Sequence, residues 1–491
     1  MGTTSLPVID NCSGMYIDGQ WRSQSEAESI EITNPATGER LTQTPACTAA
    51  DVDEAFAAVK RAQKEWAETP PRDRADVIRE AISVLEEKKS EVRELLSVES
   101  GSAAVKTEAE FETAINHMEV AADHSRNKRG LISASKTYPG KENRIQRVPV
   151  GVVGVIAPWN FPLALALRAV APALALGNGV VLKPAEETPL SGGLLLAQIF
   201  DETDLPDGLL NVVPGYGDEA GEAVVANPAA SVVSFTGSTA VGRHVAKVTA
   251  ERLAEPALEL GGNNPYIVLD DADLSRAVDA AIFGSFMHQG QACISINRHL
   301  VHESIYDEYT DRLTARARQL KVGDPLDEDT IIGPVINEHQ RDKLVSLVEA
   351  TVEEGATIET GGNHDDLYVE PTVLSDVTNE MQAACTEHFG PIAPVIPFET
   401  DEEAIQLAND TEYGLSAAVQ SSTLSRAERV AQELESGMVH INDQPFNGDP
   451  YVPFGGVKNS GIGRYNGDAI YRKFTKSKWT SIQRDPREYP F

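Results

Sequence analysis

Apolar side chains between residues 71 and 126 recur every three to four positions. Ile78, Ala81, Ile82 and Leu85 fall on one helical face behind the Pro70-Pro71 pair, a suitable helix start because proline there gives up only an N–H with no partner in the helix. From Pro149 the period changes. Residues 152–157, 180–183, 210–213 and 232–236 are short β-branched runs, alternating with helical patterns at 163–176, 192–200, 219–226 and 239–251. A second alternating set begins near Pro265, with strands at 266–269, 299–302, 392–398 and 437–442 and helices at 274–287 and 305–320. Strands alternating with helices make βαβ units and mostly parallel sheets. The pattern therefore predicts an α/β protein of two interwoven open-sheet lobes, joined near Gly261-Gly262, with no repeat or long linker between them.

Length and composition agree with two large lobes. The 491 residues are 41% apolar, yet no run approaches the 18 apolar residues of a membrane span. The most apolar stretch, 162–181, contains Arg168, Asn178 and two glycines and reads as a buried helix and strand. Residues 1–21 lack a basic region followed by an apolar run, so a cytoplasmic location is expected. The four cysteines, Cys12, Cys47, Cys293 and Cys385, are irregularly spaced and are expected to be reduced thiols. Neither Cys-x-x-Cys nor His-x-x-x-His occurs, so no metal site is expected.

Charge adds a further constraint. Asp and Glu number 75 against 42 Lys and Arg, a net charge of −33, which repels nucleic acid and anionic membranes. The acidic residues are spread along the chain, as in Glu26-Ala27-Glu28, Asp51-Val52-Asp53-Glu54 and 324–329. Lysines number 16 against 26 arginines. This balance resembles that of proteins from salt-accumulating halophiles, whose self-repulsion is screened at molar salt, where the Debye length is roughly 3 Å.

Several motifs sit at predicted strand ends, where open α/β sheets place their binding sites. Asn160, in Ala157-Pro158-Trp159-Asn160-Phe161-Pro162, either points into a crevice or caps the next helix. In Lys183-Pro184-Ala185-Glu186, an ammonium and a carboxylate could hold ribose hydroxyls, and the carboxylate would repel a 2′-phosphate, favouring NAD over NADP. Phe235-Thr236-Gly237-Ser238-Thr239-Ala240-Val241-Gly242 opens a helix whose free N–H groups suit a phosphate. No GxGxxG is present: Gly215-Tyr216-Gly217 with Gly221, and Gly461-Ile462-Gly463 with Gly467, both miss the spacing by one residue. Glu259, in Leu258-Glu259-Leu260-Gly261-Gly262-Asn263-Asn264-Pro265, is either a general base with a raised pKa or the partner of an arginine. Cys293 follows His288-Gln289-Gly290-Gln291-Ala292 in a turn after a helix rather than in an apolar stripe. A lone cysteine is most often a small buried hydrophobe, so its partners decide its reading.

These blocks, in this order and spacing, resemble the aldehyde dehydrogenase superfamily over residues 16–479. Glu387-His388-Phe389-Gly390-Pro391, 409–415 and Pro453-Phe454-Gly455-Gly456-Val457-Lys458-Asn459-Ser460-Gly461 belong to the same likeness. The resemblance implies a variant dinucleotide-binding lobe, a catalytic lobe and a small β arm for oligomerisation. The expected divisions are 1–127 with 150–260, 261–458, and 128–149 with 467–491. It implies that Cys293 is the nucleophile, Glu259 the general base, and the Asn160 amide with the Cys293 N–H an oxyanion hole. Lys183 and Glu186 would hold the adenosine ribose and Ser238 the pyrophosphate. Glu387 would hold the nicotinamide ribose with Phe389 beside the ring, while Ile156, Trp159, Phe235, Gly237, Gly242 and Leu260 would complete the NAD groove. Leu165, Arg168, Ala292, Ile294 and Phe446 would line the aldehyde tunnel, with Arg168 meeting an acidic substrate group or pairing within its helix.

His288 stands where many members of the superfamily have Asn. With Asn297-Arg298-His299 and His440-Ile441-Asn442-Asp443-Gln444, it resembles the benzaldehyde, vanillin and salicylaldehyde dehydrogenases. The implied activity is oxidation of an aldehyde, aromatic by this likeness, to the acid with NAD and water, in a homodimer or homotetramer. The carboxylate at Glu259 argues against acyl transfer to coenzyme A. A semialdehyde substrate, or a nucleotide-free cysteine hydrolase using the same thiol, are the alternatives.

Overall fold

The computed structural model describes residues 14–23, 28–126 and 130–491, so Cys12, Glu26 and the 127–128 division lie outside the described residues. Two sheets carry the chain. In the first, the strands lie in the order Gln20–Arg22, Met15–Ile17, Leu210–Val212, Gly179–Lys183, Val152–Ile156, Ala230–Thr236, Glu255–Glu259 and Gly461–Ile462. The five inner strands are parallel and the flanking pairs antiparallel. The second sheet runs Thr357–Thr360, Thr372–Ser375, Ile392–Phe398, Ile296–His302, Asn264–Val268, Ser416–Gln420 and Met438–Ile441. It is parallel except for its first pair. Two α/β lobes with mostly parallel sheets are thus present as expected. Among the described residues no helix is long and apolar enough to cross a membrane.

The helices Pro71–Glu87, Lys89–Ser100 and Ala104–Arg126 occupy the segment with the 3.6-residue period. They bury Ile78, Leu85, Leu95, Phe111 and Met118 against the helix Pro162–Ala175. Elements beyond the sequence reading include a helix and a hairpin early in the chain. Ala49–Glu68 is a helix opened by a capping box, Thr48 accepting from the Asp51 N–H and Asp51 from the Thr48 N–H. Met15–Ile17 and Gln20–Arg22 form a hairpin about Asp18-Gly19, both residues having positive φ, as a two-residue turn requires.

A third, antiparallel sheet joins Leu131–Ala134, Lys141–Pro149 and Thr475–Gln483. Of the segment 467–491 expected to belong to the β arm, the strand begins only at Thr475. Gly467–Lys473 is a helix, because Ile470, Tyr471 and Phe474 fall on one face and are buried in the core of the first lobe.

Candidate active site

Parallel register aligns the strand ends of the first sheet. Ile156 lies opposite Lys183 and Phe235, Phe235 opposite Leu258, and Thr236 opposite Glu259, so the segments that follow open into one groove. The cavity there is about 490 Å³. Its walls include Ile156, Trp159, Asn160, Leu165, Lys183, Glu186, Phe235, Gly237, Ser238, Glu259 and Leu260 from the first lobe, and Cys293, Glu387 and Phe389 from the second.

The segment carrying Cys293 is tightly held. His288, Gln289 and Gly290 have φ values of 52°, 54° and 69°, a left-handed run that costs of order 1 kcal/mol or more for each non-glycine residue. Fixed contacts offset that cost. The Gln289 amide donates to the Gly101 and Pro334 carbonyls at 2.9 and 3.0 Å, and Gln291 Oε1 accepts from the Ile336 N–H at 3.0 Å. A Cβ on Gly290 would stand 2.2 Å from the Gly390 carbonyl oxygen, so only glycine fits. Asn264 Nδ2 donates to the Cys293 and Ser295 carbonyls at 2.8 and 2.6 Å. Asn160 does not cap its helix: Phe161 is the N-cap residue, and Asn160 Nδ2 donates to the Gln291 carbonyl at 2.9 Å, beside the thiol-bearing loop.

That helix start is served instead by Glu110. Its Oε1 accepts from the Leu163 and Ala164 N–H groups at 2.9 and 3.2 Å, and its Oε2 pairs with Lys106, both side chains being fully buried.

Glu259 is as deeply buried, yet among the described residues neither carboxylate oxygen has a hydrogen-bond partner or an ion pair. Burial pushes its pKa up to about 8, although the Arg168 and Arg464 charges oppose the rise. The Cys293 thiol is pushed up to about 12 by burial and by the Glu387 carboxylate, against the pull of Arg168. Glu387 is itself raised to about 7 by burial, while its Oε1 accepts from the Gly262 N–H at 2.9 Å. Space explains the glycine pair after Glu259. A Cβ on Gly261 would lie 2.4 Å from Glu387 Oε2, and one on Gly262 would lie 2.3 Å from the Cys293 carbonyl oxygen.

Farther along the groove, Lys183 Nζ and Glu186 Oε1 are 3.2 Å apart. Ser238 caps the helix Thr239–Glu251, accepting weakly from the Val241 N–H at 3.4 Å, and the positive end of the helix dipole faces the groove. Trp159 and Phe389 meet edge to face, their centroids 5.4 Å apart. An anion-favouring helix end, a cation–carboxylate pair and an apolar aromatic end suit a dinucleotide.

The family model described as the aldehyde dehydrogenase family matches residues 21–480. The chain belongs to the aldehyde dehydrogenase family. Among its relatives, benzaldehyde dehydrogenase [NAD(+)] of Pseudomonas putida is 47% identical over 479 residues, covering 97% of this chain and 98% of the relative. Vanillin dehydrogenase of Corynebacterium glutamicum is 45% identical over 471 residues, covering 95% and 97%. The structure of Staphylococcus aureus betaine aldehyde dehydrogenase in complex with NAD+ superposes with a TM-score of 0.96 at 35% identity, covering 99% of this chain and 98% of that one. An E. coli NADP dependent enzyme reaches 0.93 at 34%, covering 96% and 98%.

Within this aldehyde dehydrogenase, five of the residues singled out from sequence lie off the groove lining. Gly242 packs on Leu260, where a Cβ would meet Cδ2 at 2.3 Å. Ala292 and Ile294 flank Cys293. Phe446 joins an aromatic cluster with Phe161 and Phe283, at centroid distances of 5.9 and 5.8 Å. Arg168 stacks on Phe454 and Tyr465 and donates to Thr236 Oγ1 at 3.3 Å, so its contacts lie outside its own helix. Conversely, Gly217 and Gly221 line the groove beside Glu186 and Lys183, although their spacing misses the usual fingerprint. Gln340 and Lys343 also line it; they sit on the helix Glu338–Glu353, and Lys343 Nζ donates to the Glu387 carbonyl at 2.8 Å.

Proposed function

We propose that this protein oxidises an aromatic aldehyde to its carboxylic acid with NAD and water, through a thioester on Cys293. The observation that carries this reading is Glu259, a buried carboxylate with no hydrogen-bond partner among the described residues, which shares a groove with a half-buried thiol and the Asn160 amide. Glu259, directly or through a water, takes the Cys293 proton, and Sγ adds to the aldehyde carbon. The Asn160 amide and the Cys293 N–H hold the resulting oxyanion; one such donor is worth about 3 kcal/mol. When bound, NAD would supply the hydride acceptor, and its charged nicotinamide would favour the thiolate. Loss of the hydride leaves an acyl thioester. Once Glu259 has released the thiol proton to solvent, it takes a proton from water, whose oxygen adds to the acyl carbon; the C–S bond breaks, the acid leaves, and Glu259 returns its proton to the Cys293 thiolate.

Lys183 and Glu186 hold the adenosine ribose in this reading, with Ser238 and its helix end at the pyrophosphate. Glu387 holds the second ribose and Phe389 flanks the ring. The Glu186 carboxylate disfavours a 2′-phosphate, so NAD is preferred over NADP. The aromatic cluster of Phe161, Phe446 and Phe283, together with the benzaldehyde and vanillin dehydrogenase relatives, favours an aromatic aldehyde. In this reading residues 1–127 with 150–260 are the cofactor domain, 261–458 the catalytic domain, and 128–149 with 467–491 the oligomerisation arm, less the helix Gly467–Lys473, which packs into the first lobe. The exposed Leu131, Ile132 and Trp479 of the arm support a homo-oligomer. The acidic surface supports a cytoplasmic protein adapted to salt.

Rates of NADH and NADPH formation with benzaldehyde, an aliphatic aldehyde and a semialdehyde, measured in molar KCl, test this reading. The highest kcat/KM is expected for benzaldehyde with NAD; a semialdehyde as best substrate, or turnover without nucleotide, would refute it.

A further inference from the structure

We infer that Lys106 is a positioning residue for the aromatic aldehyde: it holds the ring of Phe161, which directly follows Asn160 and leads through Phe446 to the exposed Phe283, the aromatic path on which this inference places the substrate. This rests on the aromatic-aldehyde reading above and adds a residue to it. Lys106 lies on the helix Ala104–Arg126, remote from Cys293 in sequence and outside the groove lining, and its side chain is fully buried. Its Nζ stands 4.5 Å from the centroid of Phe161, the residue immediately after Asn160. Desolvated cations attract an aromatic face more strongly than exposed ones do, so this contact restrains the tilt of the ring.

Phe161 has two more neighbours. The His288 ring, at the start of the turn leading to Cys293, meets it edge to face at 5.4 Å, and Phe446 meets it at 5.9 Å. Phe446 in turn contacts Phe283, whose side chain is exposed. A continuous aromatic path therefore runs from a buried ammonium to the surface and passes beside the Asn160 and Cys293 segments. The carboxylate that balances Lys106 is Glu110, which also accepts from the Leu163 and Ala164 N–H groups of the helix following Asn160. One ion pair thus fixes both the ring and the first turn of the helix behind it. A helix cap alone would need only the carboxylate; the ammonium over the ring is the unexplained half of the pair, and restraint of Phe161 gives it a use.

The test is a double-mutant cycle between Lys106 and Phe161, read in kcat/KM for benzaldehyde and hexanal and in the NADH burst per subunit. Lys106→Met is expected to raise KM for benzaldehyde about tenfold, with kcat changed less than threefold and hexanal barely affected. Lys106→Arg, which keeps the cation, should recover most of the loss. In a Phe161→Leu background, Lys106→Met should have no further effect on benzaldehyde. If Lys106→Met alone fails to fold, the neutral pair Lys106→Met with Glu110→Gln takes its place, compared with Glu110→Gln alone. Additive Lys106 and Phe161 effects, or equal losses for both aldehydes, would overturn the inference. A wild-type enzyme that does not prefer benzaldehyde would instead refute the substrate reading, and the cycle, measured on whichever aldehyde is preferred, would still decide the role of Lys106.

Discussion

Glu259 and Glu110 are both fully buried carboxylates in the first lobe, one ending the strand Glu255–Glu259 and the other within the helix Ala104–Arg126. Glu110 has an ammonium and two backbone N–H groups; Glu259 has no hydrogen-bond partner among the described residues. The satisfied carboxylate holds a helix start in place. The unsatisfied one carries a desolvation cost that the Arg168 and Arg464 charges only partly offset, so its pKa is near 8, as the proposed general base requires. Burial alone does not distinguish scaffold from chemistry; the number of partners does.

The largest effect expected from testing this contrast lies at the thiol that Glu259 serves. Cys293→Ala should reduce NADH formation to background without changing the melting temperature. Next, Glu259→Gln should slow steady-state turnover about a hundredfold or more while leaving a slower burst of NADH, because deacylation loses its base whereas bound NAD would still favour the thiolate in the first step. Glu110→Gln should do the reverse, since removing one member of a buried ion pair destabilises by about 3–5 kcal/mol. Thermal unfolding should show that loss, with the activity of the folded fraction within about tenfold of wild type. If Glu110→Gln instead lost activity at unchanged stability, the contrast would fail.

The pH dependence sharpens the same contrast. Glu259 acts as a base only when ionised, so the rate should fall as pH drops below about 8, and Glu259→Gln should remove that limb from the pH–rate profile. Stability moves the other way. The folded protein keeps a proton that the unfolded chain releases near the ordinary Glu value of 4.5, so Glu259 weakens folding as pH rises through about 8. Glu259→Gln should therefore melt above wild type at pH 9 and alongside it at pH 4. The smallest effect per residue belongs to the exposed carboxylates behind the net charge of −33, whose mutual repulsion salt screens. Molar KCl should raise the melting temperature of wild type and Glu259→Gln by the same amount, and an unchanged melting temperature would refute the salt adaptation.

Much of this was legible in the sequence where local chemistry and periodicity agree. The strand–helix alternation located both sheets, and Asn160, Glu259 and Cys293 stood in compact motifs that the fold brings to one groove. The helix Ala49–Glu68 was missed because its buried face uses small residues, Ala55 and Ala58 beside Val52, Phe56 and Val59, although Thr48 and Asp51 carry a capping-box signature. The Asp18-Gly19 hairpin likewise had its turn signal but strands of only three residues. The Lys106–Glu110 pair drew no notice in the sequence: i,i+4 spacing is common on helix surfaces, and burial is a tertiary property that spacing does not encode. Gln340 and Lys343 carry no local mark at all; they reach the groove because their helix packs beside Glu387 and Phe389.

Residues 455–465 return from the second lobe to close over Glu259. A Cβ on Gly455 would stand 2.6 Å from Glu259 Oε1 and 3.0 Å from Arg464 Cδ, and the strand Gly461–Ile462 pairs with the end of the strand bearing Glu259. The base is therefore walled in by a segment far downstream of it in the chain, and its desolvation depends on that long-range closure. Opening the 455–465 segment would hydrate Glu259 and return it toward an ordinary acid, so the reach of this late segment across the lobes sets the strength of the base.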